Sequence, residues 1–319
     1  MSKKTDKTQY IIGIGGLNYD IHVKLAKSPV PGDSNPAGVQ CSAGGVTRNI
    51  LENLVRLEHS CLLLSSVGAD GFGQAVRQEC EDAGLDVSRL REDRKLPTST
   101  YINVLEPGGE VYIAANDMRI HEAAPLSYFE ENAELIRSAQ AVVTDANLTE
   151  EQLGKVMKIA DGVPVFADTV SAAKCRRLLP FIGKMQLIKP NLMELEALSG
   201  TGCSGPDADK KTEAAAEKLL STGLKSIAVS LGSRGCYYAD RSGKRLYRRL
   251  DCDLPVVNAG GAGDAFMAGL TAGFCEGLEP ENALDLALAC GRITTLSEST
   301  VDPRLTREFA ARFLDRYAT

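Results

Sequence analysis

The stretch NAGGAGDAF, residues 258–266, has the pattern of a loop that turns into a helix, because three glycines and an alanine precede an acid and a helix-compatible run follows. Small residues let a backbone approach a ligand closely, and the first N–H groups of a helix have no internal partner. These groups lie at the positive end of the helix dipole, so the stretch predicts an anion site with Asp264 beside it. The alternative is a glycine-rich turn that Asp264 caps, because Asp is a favoured N-cap residue.

The composition of the chain limits the classes of protein and partner. The 319 residues suffice for one α/β domain or two smaller ones. The hydrophobic fraction of 44% and charged fraction of 24% are typical of a soluble globular protein. With a net charge of −6 and a basic run only at residues 1–7, we expect no nucleic-acid partner. The sequence has no apolar run of 18 residues and no signal-peptide pattern, so we expect no membrane partner.

The cysteines and histidines indicate a compartment and argue against one kind of site. Nine cysteines are scattered from Cys41 to Cys290 without a C-x-x-C pair, and the three histidines are far apart. This spacing argues against a structural zinc site. An odd number of cysteines predicts free thiols in a reducing compartment, hence a cytoplasmic protein, and we expect a short disordered N-terminus at residues 1–8.

The second half of the chain alternates between helical and strand patterns. Such alternation predicts parallel strands joined by crossover helices. The predicted strands in this half are 141–145, 164–168, 185–189 and 226–230, after earlier strands at 10–15 and 61–67. The predicted helices are 49–57, 72–83, 129–139, 150–160, 172–179, 207–222, 263–277, 281–296 and 305–316.

A hairpin is predicted where segments 98–105 and 110–115 flank Pro107-Gly108-Gly109. Its strands carry Ser99 and Asn103 on one side, so we expect one face to be wet or to face a ligand. With strands at 19–24 and 39–42, the hairpin should form a small sheet that projects from one α/β core.

Two common nucleotide-binding motifs are absent from the sequence. Gly13-Ile14-Gly15-Gly16 follows the first strand, but the dinucleotide fingerprint needs Gly or Ala where this chain has Asn18. Neither Gly183-Lys184 nor Gly243-Lys244 has the upstream glycine or the following Ser or Thr of a Walker A loop. Phosphate chemistry in this chain therefore needs a different cradle.

Residues suited to hydroxyl groups follow the first strand and open the first helix. Asn18 and Asp20 can bind vicinal hydroxyls, and the pair Gly44-Gly45, four residues before Asn49, lets a sugar lie against backbone N–H groups. The alternative is two ordinary turns at the ends of a strand and a helix.

Two further loops follow predicted strands. Asn191 can cap the helix after Lys189-Pro190, and Glu194 then falls in its first turn, either as a dipole-complementing acid or as a magnesium ligand through water. The loop Ser230-Leu231-Gly232-Ser233-Arg234-Gly235 follows the next strand. Open α/β folds place ligands at the carboxyl edge of the sheet, so loops 191–194, 230–235 and 258–264 predict a nucleotide-binding edge.

Together these motifs resemble the ribokinase-like (PfkB) carbohydrate kinases over roughly residues 11–303. Gly44-Gly45-x-x-x-Asn49 is similar to the first signature of that family, Asn191-x-x-Glu194 to its magnesium and phosphate motif, and residues 261–264 to its anion hole and catalytic Asp. The resemblance implies a three-layer α/β sandwich with a central, mostly parallel sheet flanked by helices. It also implies a single domain over residues 1–319 with a small β-sheet lid from about 17–43 and 97–117.

The resemblance also implies roles for the site residues. Asp264 would be the base, with an ordinary low pKa because a helix N-terminus favours the ionised form. The anion hole would be Gly261, Ala262 and Gly263. ATP would lie along Asn191, Ser230, Gly232, Gly235 and the helix at 287–294, with Mg²⁺ on Glu194 through water. The sugar would be held by Asn18, Asp20, Gly44, Gly45 and Asn49.

Within the family, the segments 44–54, 145–148, 168–171, 189–200 and 297–303 and Asn116-Asp117-Met118 resemble the pseudouridine kinase branch. That likeness implies phosphorylation of a nucleoside 5′-hydroxyl; ribose, another sugar, a purine nucleoside or a non-catalytic binding regulator are the alternatives. The candidate base contacts are Asn103, Asn116, Asp117, Asn147 and Lys174.

One pair departs from the family pattern. Asn258-Ala259 stands where many members have the Asp-Thr pair of a monovalent-cation site, which puts potassium activation in question. The open edges of the lid sheet allow pairing with a second subunit, and exposed polar edges are the alternative.

Overall fold

The computed structural model describes residues 9–317, so the disordered N-terminus predicted at residues 1–8 lies outside the described residues. The strands are β1 (Ile11–Ile14), β2 (Asn18–Leu25), β3 (Ala37–Gly44), β4 (Cys61–Leu64), β5 (Ser66–Gly68), β6 (Arg91–Asp93), β7 (Thr100–Leu105), β8 (Val111–Asp117), β9 (Ala141–Asp145), β10 (Val165–Asp168), β11 (Leu187–Lys189), β12 (Ser226–Ser230), β13 (Cys236–Asp240) and β14 (Arg245–Arg248).

The helices are α1 (Val46–Arg56), α2 (Gly71–Asp82), α3 (Arg119–Glu122), α4 (Leu126–Glu131), α5 (Ala133–Ser138), α6 (Glu150–Ile159), α7 (Leu192–Ser199), α8 (Ala208–Leu220), α9 (Ala262–Cys275), α10 (Pro280–Thr294) and α11 (Arg307–Tyr317). Short 3₁₀ turns span Cys175–Leu178, Ile182–Lys184 and Gly232–Arg234. Among residues 9–317, no helix combines the length and apolarity that a membrane span requires.

The central sheet has eight strands in the order β14-β13-β12-β11-β10-β9-β1-β4. Strands β12 to β4 in that order are mutually parallel, and β13 and β14 add an antiparallel edge. Alternate residues of β1 face opposite sides: Ile11 packs in a core with α1, α9 and α10, and Ile12 in a second core with α6, α7 and α8. Helices therefore cover both faces, which confirms the predicted ribokinase-like α/β fold.

A separate four-stranded sheet has the order β3-β2-β7-β8, and it contains the predicted hairpin as antiparallel β7 and β8. The register pairs His22 with Asn103 across parallel strands, so the buried Asp20 shares their face. The opposite face carries the exposed side chains of Ile102 and Ile113. The small sheet thus has a polar face toward the main body and an apolar face toward solvent.

Three predicted elements differ in the structure. The helix predicted at 129–139 is two short helices that meet at Asn132, whose side-chain amide donates to the Tyr128 carbonyl at 2.8 Å and competes with the helix ladder. The helix predicted at 172–179 is only a 3₁₀ turn at Cys175–Leu178, and Pro180 prevents its continuation as a helix. The strand predicted at 61–67 breaks at Ser65, and its second part pairs with β6 in a two-stranded sheet that the sequence did not predict.

Candidate active site

Four parallel strands bring their carboxyl ends to one edge of the central sheet. The register places Asp145, Asp168 and Lys189 side by side at the ends of β9, β10 and β11. Asn191 bridges to Ser230 at the end of β12. The N-terminus of α9 meets this edge, since a Cβ atom on Gly263 would lie 2.8 Å from the Lys189 Nζ atom. The structure therefore brings together the three loops that the sequence predicts to share a ligand edge.

The start of α9 depends on a glycine. Gly261 is the N-cap residue with a φ of 76°, and any side chain there would clash with the Thr300 carbonyl. Helical bonding begins with the N–H of Ala265 donating to the Gly261 carbonyl at 2.9 Å. The N–H of Ala262 donates at 3.4 Å to Ala259, a long bond that only weakly engages one of the predicted anion-binding donors. The geometry is that of a helix N-terminus, with N–H groups available to an anion.

Asp264 lies in the first turn of α9, three residues after the N-cap. The interpretation of Asp264 as the cap is wrong, because Gly261 holds that position and the cap has no side-chain hydrogen bond. The Oδ2 atom of Asp264 instead accepts from Nδ2 of Asn49 at 2.9 Å, which joins α9 to α1. The two predicted site residues are 215 positions apart in the chain and in direct contact in the fold.

Burial, together with the Asp168 carboxylate, raises the pKa of Asp264 to about 7, although the Asn49 hydrogen bond and the Lys189 ammonium act in the opposite direction. The expected low pKa is therefore wrong. The helix dipole contributes only about 0.3–1 kcal/mol, and the loss of hydration of a carboxylate among other acids outweighs it.

The predicted hydroxyl-binding residues form one group between the two sheets. The amide of Asn18 donates to the Asp20 carboxylate, and Gly44 packs directly against that carboxylate. Gly45 caps α1 with a φ of 105°, and its Cβ atom would lie 2.5 Å from the Gly16 carbonyl. Burial raises the pKa of Asp20 to about 6. These contacts form a polar wall lined by small residues, and sugar binding there stays a prediction.

The first helix orients Asn49. The Nη1 atom of Arg48 donates to the Asn49 Oδ1 atom at 3.1 Å and to the Ala43 carbonyl at 3.0 Å. Because Arg48 occupies the amide oxygen, the amide NH₂ of Asn49 is directed at Asp264.

Asn191 and Glu194 form a capping box at the start of α7. The Asn191 Oδ1 atom accepts from the N–H of Glu194 at 2.9 Å, and the Glu194 Oε2 atom accepts from the N–H of Asn191 at 2.9 Å. The hydroxyl of Thr169 donates to the same Oε2 atom at 2.6 Å. The structural role of Glu194 is therefore confirmed, and its magnesium role stays a prediction.

The donor set at Glu194 fits a magnesium ion held through water. Both hydrogen bonds of its carboxylate use Oε2, so among residues 9–317 its Oε1 atom remains available to a metal-bound water. Within the same range no three His, Cys, Asp or Glu side chains form a ready metal cage. Magnesium keeps several waters and takes few carboxylates, so this pattern suits it.

The loop after β12 is a single 3₁₀ turn at Gly232–Arg234. The N–H of Ser230 donates to the Pro190 carbonyl at 2.9 Å, and the N–H of Leu231 donates to the Gly235 carbonyl at 2.8 Å. These bonds place Ser230 beside Asn191 and close the loop from Leu231 to Gly235. Their contacts with ATP stay a prediction.

The candidate base contacts lie in three places: the Asn147–Lys174 pair, Asn103 on β7, and Asn116 and Asp117 on β8. The Lys174 Nζ atom donates to Asn147 Oδ1 at 2.7 Å, and Asn103 shares a hydrogen bond of 2.7 Å with His22 on the polar face of the small sheet. Asn116 is exposed on the outer strand β8. Asp117 is already paired with Arg119 at 2.6 Å. The structure thus brings Asn147 and Lys174 together and places Asn116 and Asp117 at the outer strand.

Sequence reasoning missed the acids and the lysine that end three central strands. The buried Asp145 Oδ2 atom accepts from the Thr47 hydroxyl at 2.7 Å and from the N–H of Gly16 at 2.9 Å. These bonds hold in place the loop before β2 and the start of α1, which carry the predicted sugar-binding residues. Asp168 forms an ion pair with Lys189. A usable signal was present, because each charged residue ends an apolar run at the ligand edge of a parallel sheet.

The fold and this edge define a small-molecule phosphotransferase, with an anion-binding helix N-terminus, an adjacent acid and a polar sheet over them. The model of the pfkB family carbohydrate kinases matches residues 8–307, and the chain belongs to that family. It is a sugar or nucleoside kinase.

Individual relatives extend over nearly the full chain. The pseudouridine kinase of Escherichia coli (strain K12) is 34% identical over 297 residues, which cover 93% of this chain and 94% of that protein. The ATP-dependent ribose-1-phosphate kinase of Halopiger xanaduensis is 27% identical, covering 96% of this chain and 99% of that protein. The structure of Arabidopsis thaliana ribokinase complexed with ribose and ATP superposes with a TM-score of 0.86 at 22% identity, covering 96% and 99% of the two chains.

Proposed function

We propose that the protein transfers the γ-phosphoryl group of ATP to the 5′-hydroxyl of a nucleoside, and that this nucleoside is pseudouridine. The observation that carries the transfer step is the contact between Asn49 and Asp264 at the N-terminus of α9. This contact supports the proposal, because a sugar-binding amide, a carboxylate base and an anion site would then lie within one small region.

In the proposed reaction, the substrate oxygen bonds to the γ-phosphorus, the bond from phosphorus to the ADP oxygen breaks, and Asp264 receives the hydroxyl proton. A base is most effective when its pKa lies near the working pH, so the raised pKa of Asp264 suits it to this role near neutrality. The N–H groups of residues 261–263 would stabilise the charge on the transferred group. Magnesium would neutralise phosphate charge, and Glu194 would hold it through water.

The choice of pseudouridine rests on the likeness to the Escherichia coli enzyme and on the polar groups near the sugar site. The base of pseudouridine carries two carbonyl oxygens, as uridine does. It also carries an N1–H group, which uridine lacks. Lys174 and the amide NH₂ of Asn147 are donors suited to the carbonyls. The amide oxygen of Asn103, which already shares a hydrogen bond with His22, has a second lone pair that can accept the extra N–H. Uridine has no N–H at that position, so it would lose this hydrogen bond.

The test is kcat/KM measured as ADP release for pseudouridine, uridine, ribose, ribose 1-phosphate and adenosine at one ATP concentration. Pseudouridine should exceed uridine by about two- to tenfold, since the hydrogen bond that uridine cannot make contributes about 0.5–1.5 kcal/mol. If ribose or adenosine exceeds pseudouridine by about tenfold, the substrate assignment is wrong and another sugar or a purine nucleoside takes its place. A non-catalytic regulator would release no ADP with any of them.

We further infer that the chain is a single domain whose segments 17–43 and 97–117 act as a lid. The polar face of the small sheet, with the buried Asp20, would close over the sugar and exclude water. All four strands connect to the main body at one end, near Asn18, Gly44, Thr100 and Asp117, which allows them to move as one unit.

The exposed apolar face of this lid supports a homodimer. Val39, Ile102 and Ile113 are all exposed there, although such side chains are usually covered. Ile113→Asp should shift the mass measured by light scattering from dimer to monomer, whereas a wild-type monomer would contradict the proposal. A cytoplasmic location is supported by the nine cysteines, all of which are free.

A further inference from the structure

Lys189 is a buried ammonium group at the centre of the ligand edge. It ends β11 in register with Asp168, and its Nζ atom lies 3.0 Å from the Asp168 Oδ2 atom. The side chains of Lys189 and Asp168 are only 8% and 5% exposed. A lysine is rarely buried to this extent, and burying an ion pair costs hydration of both charges, so its position requires an explanation.

The ammonium lies against the first turn of α9. A Cβ atom on Gly263 would be 2.8 Å from Nζ, so the backbone of the anion-binding turn and the ammonium are in direct contact. Burial disfavours the charge, but the carboxylates of Asp168, Asp264 and Glu194 outweigh it and raise the pKa of Lys189. Lys189 is therefore positively charged at the point where an anion reaches α9.

The ion pair with Asp168 does not use the full bonding capacity of the ammonium. The Asp168 Oδ2 atom is buried, and among residues 9–317 it has no donor in hydrogen-bond alignment, although Nζ is within ion-pair distance. Nζ carries three N–H donors, and a poorly aligned partner is a weak reason for burying a charge. Its donors are available to a second anion between Asp168 and Gly263.

We propose that Lys189 is a catalytic residue that contacts the phosphoryl group during its transfer, with Asp168 holding the ammonium in place. Negative charge spreads over the outer oxygens of this group during transfer, so a cation beside the helix N-terminus stabilises it together with the N–H groups. This inference rests on the kinase class of the protein and not on the choice of pseudouridine.

The first measurement needs no acceptor substrate. Isothermal titration gives the ratio of Kd for ADP to Kd for ATP in the wild type, in Lys189→Met and in the double variant Asp168→Asn/Lys189→Met. The double variant removes both charges, so it avoids the unpaired buried acid that the single variant creates. Both variants should lose about tenfold or more of the preference for ATP, because a hydrogen bond to a charged group is lost.

The second measurement is turnover with the best acceptor of the substrate panel. The kcat of the double variant should fall by about 10²–10³-fold, which is the usual cost of removing one hydrogen-bond donor that stabilises charge in a transition state. The KM for the acceptor should change by less than about threefold. Lys155→Met, which removes a lysine paired with Glu130 on the surface, is the matched control and should behave like the wild type.

If the Lys189–Asp168 pair only holds strand ends together, the neutral double variant should keep both its ATP preference and its turnover, and the proposal is overturned. If the single variant unfolds, the double variant decides by the same two readouts. A failure of every acceptor in the panel counts against the proposed substrates alone, because the ratio of nucleotide affinities still tests Lys189.

Discussion

Asp264→Asn tests the proposed base with little structural change. The substitution keeps the volume of the side chain, and its amide oxygen can still accept from Asn49 Nδ2, which lies 2.9 Å from Oδ2 in the native side chain. Neutralising a half-buried acid beside Asp168 also removes a repulsion, so the fold should be retained. Loss of the base should lower kcat by at least about 10²-fold, or about 2.7 kcal/mol of activation free energy.

The raised pKa of Asp264 gives this prediction a pH dependence. The base acts in its ionised form, so kcat/KM of the wild type should fall as the pH drops below about 7. One pH unit below that pKa, only about a tenth of the enzyme carries the ionised base. Asp264→Asn has no carboxylate to titrate, so its residual activity should lose this acid limb.

The assay is ADP release measured from about pH 5.5 to about pH 8.5, a range that extends about one and a half units on either side of the pKa. The coupling enzymes are kept in excess at each pH, and thermal unfolding checks that the variant is folded. A folded variant with kcat within about tenfold of the wild type would refute the role of Asp264. An unchanged acid limb in the variant would assign that titration to another group, of which Asp20 is the first candidate because burial also raises its pKa to about 6.

Three further predictions concern the anion site, the magnesium ligand and the dependence on potassium. Gly263→Val should abolish turnover, because a Cβ atom there meets the Lys189 ammonium and fills the anion site; Gly202→Val, whose Cβ atom meets nothing within 4 Å, is the control that should turn over normally. Glu194→Gln should keep the capping box but raise the Mg²⁺ concentration that gives the half-maximal rate. Glu150→Gln, in the first turn of α6, is the control and should not raise it. If the magnesium curve of Glu194→Gln does not move, Glu194 only caps the helix. Replacing potassium by choline should change the rate less than about twofold, because Asn258 lacks the charge of the Asp found in many members; a larger loss would show that Asn258 still serves a cation.

The local sequence was sufficient to predict most of the elements and the chemistry of single loops. The small residues and acid of 258–266 predict a helix N-terminus, the spacing of Asn191 and Glu194 predicts a helix start, and the alternation after residue 130 predicts a parallel sheet. These signals are local because caps, turns and strand periodicity depend on neighbouring residues in the chain. The resemblance of these motifs to one kinase family added their order along the chain.

The tertiary structure alone decided which side chains meet and in what state. The contact between Asn49 and Asp264 joins positions 215 residues apart, and the row that ends in Lys189 exists only through the register of three strands. The pKa of Asp264 could not be predicted from its helix position, because hydration and charge depend on every group that packs around it. Likewise the residue type of Asp117 suits a contact with a ligand, but in the fold its carboxylate forms an ion pair with Arg119. Local patterns thus predict which groups a site offers, whereas burial and long-range packing determine which of them are charged, paired and in reach of a substrate.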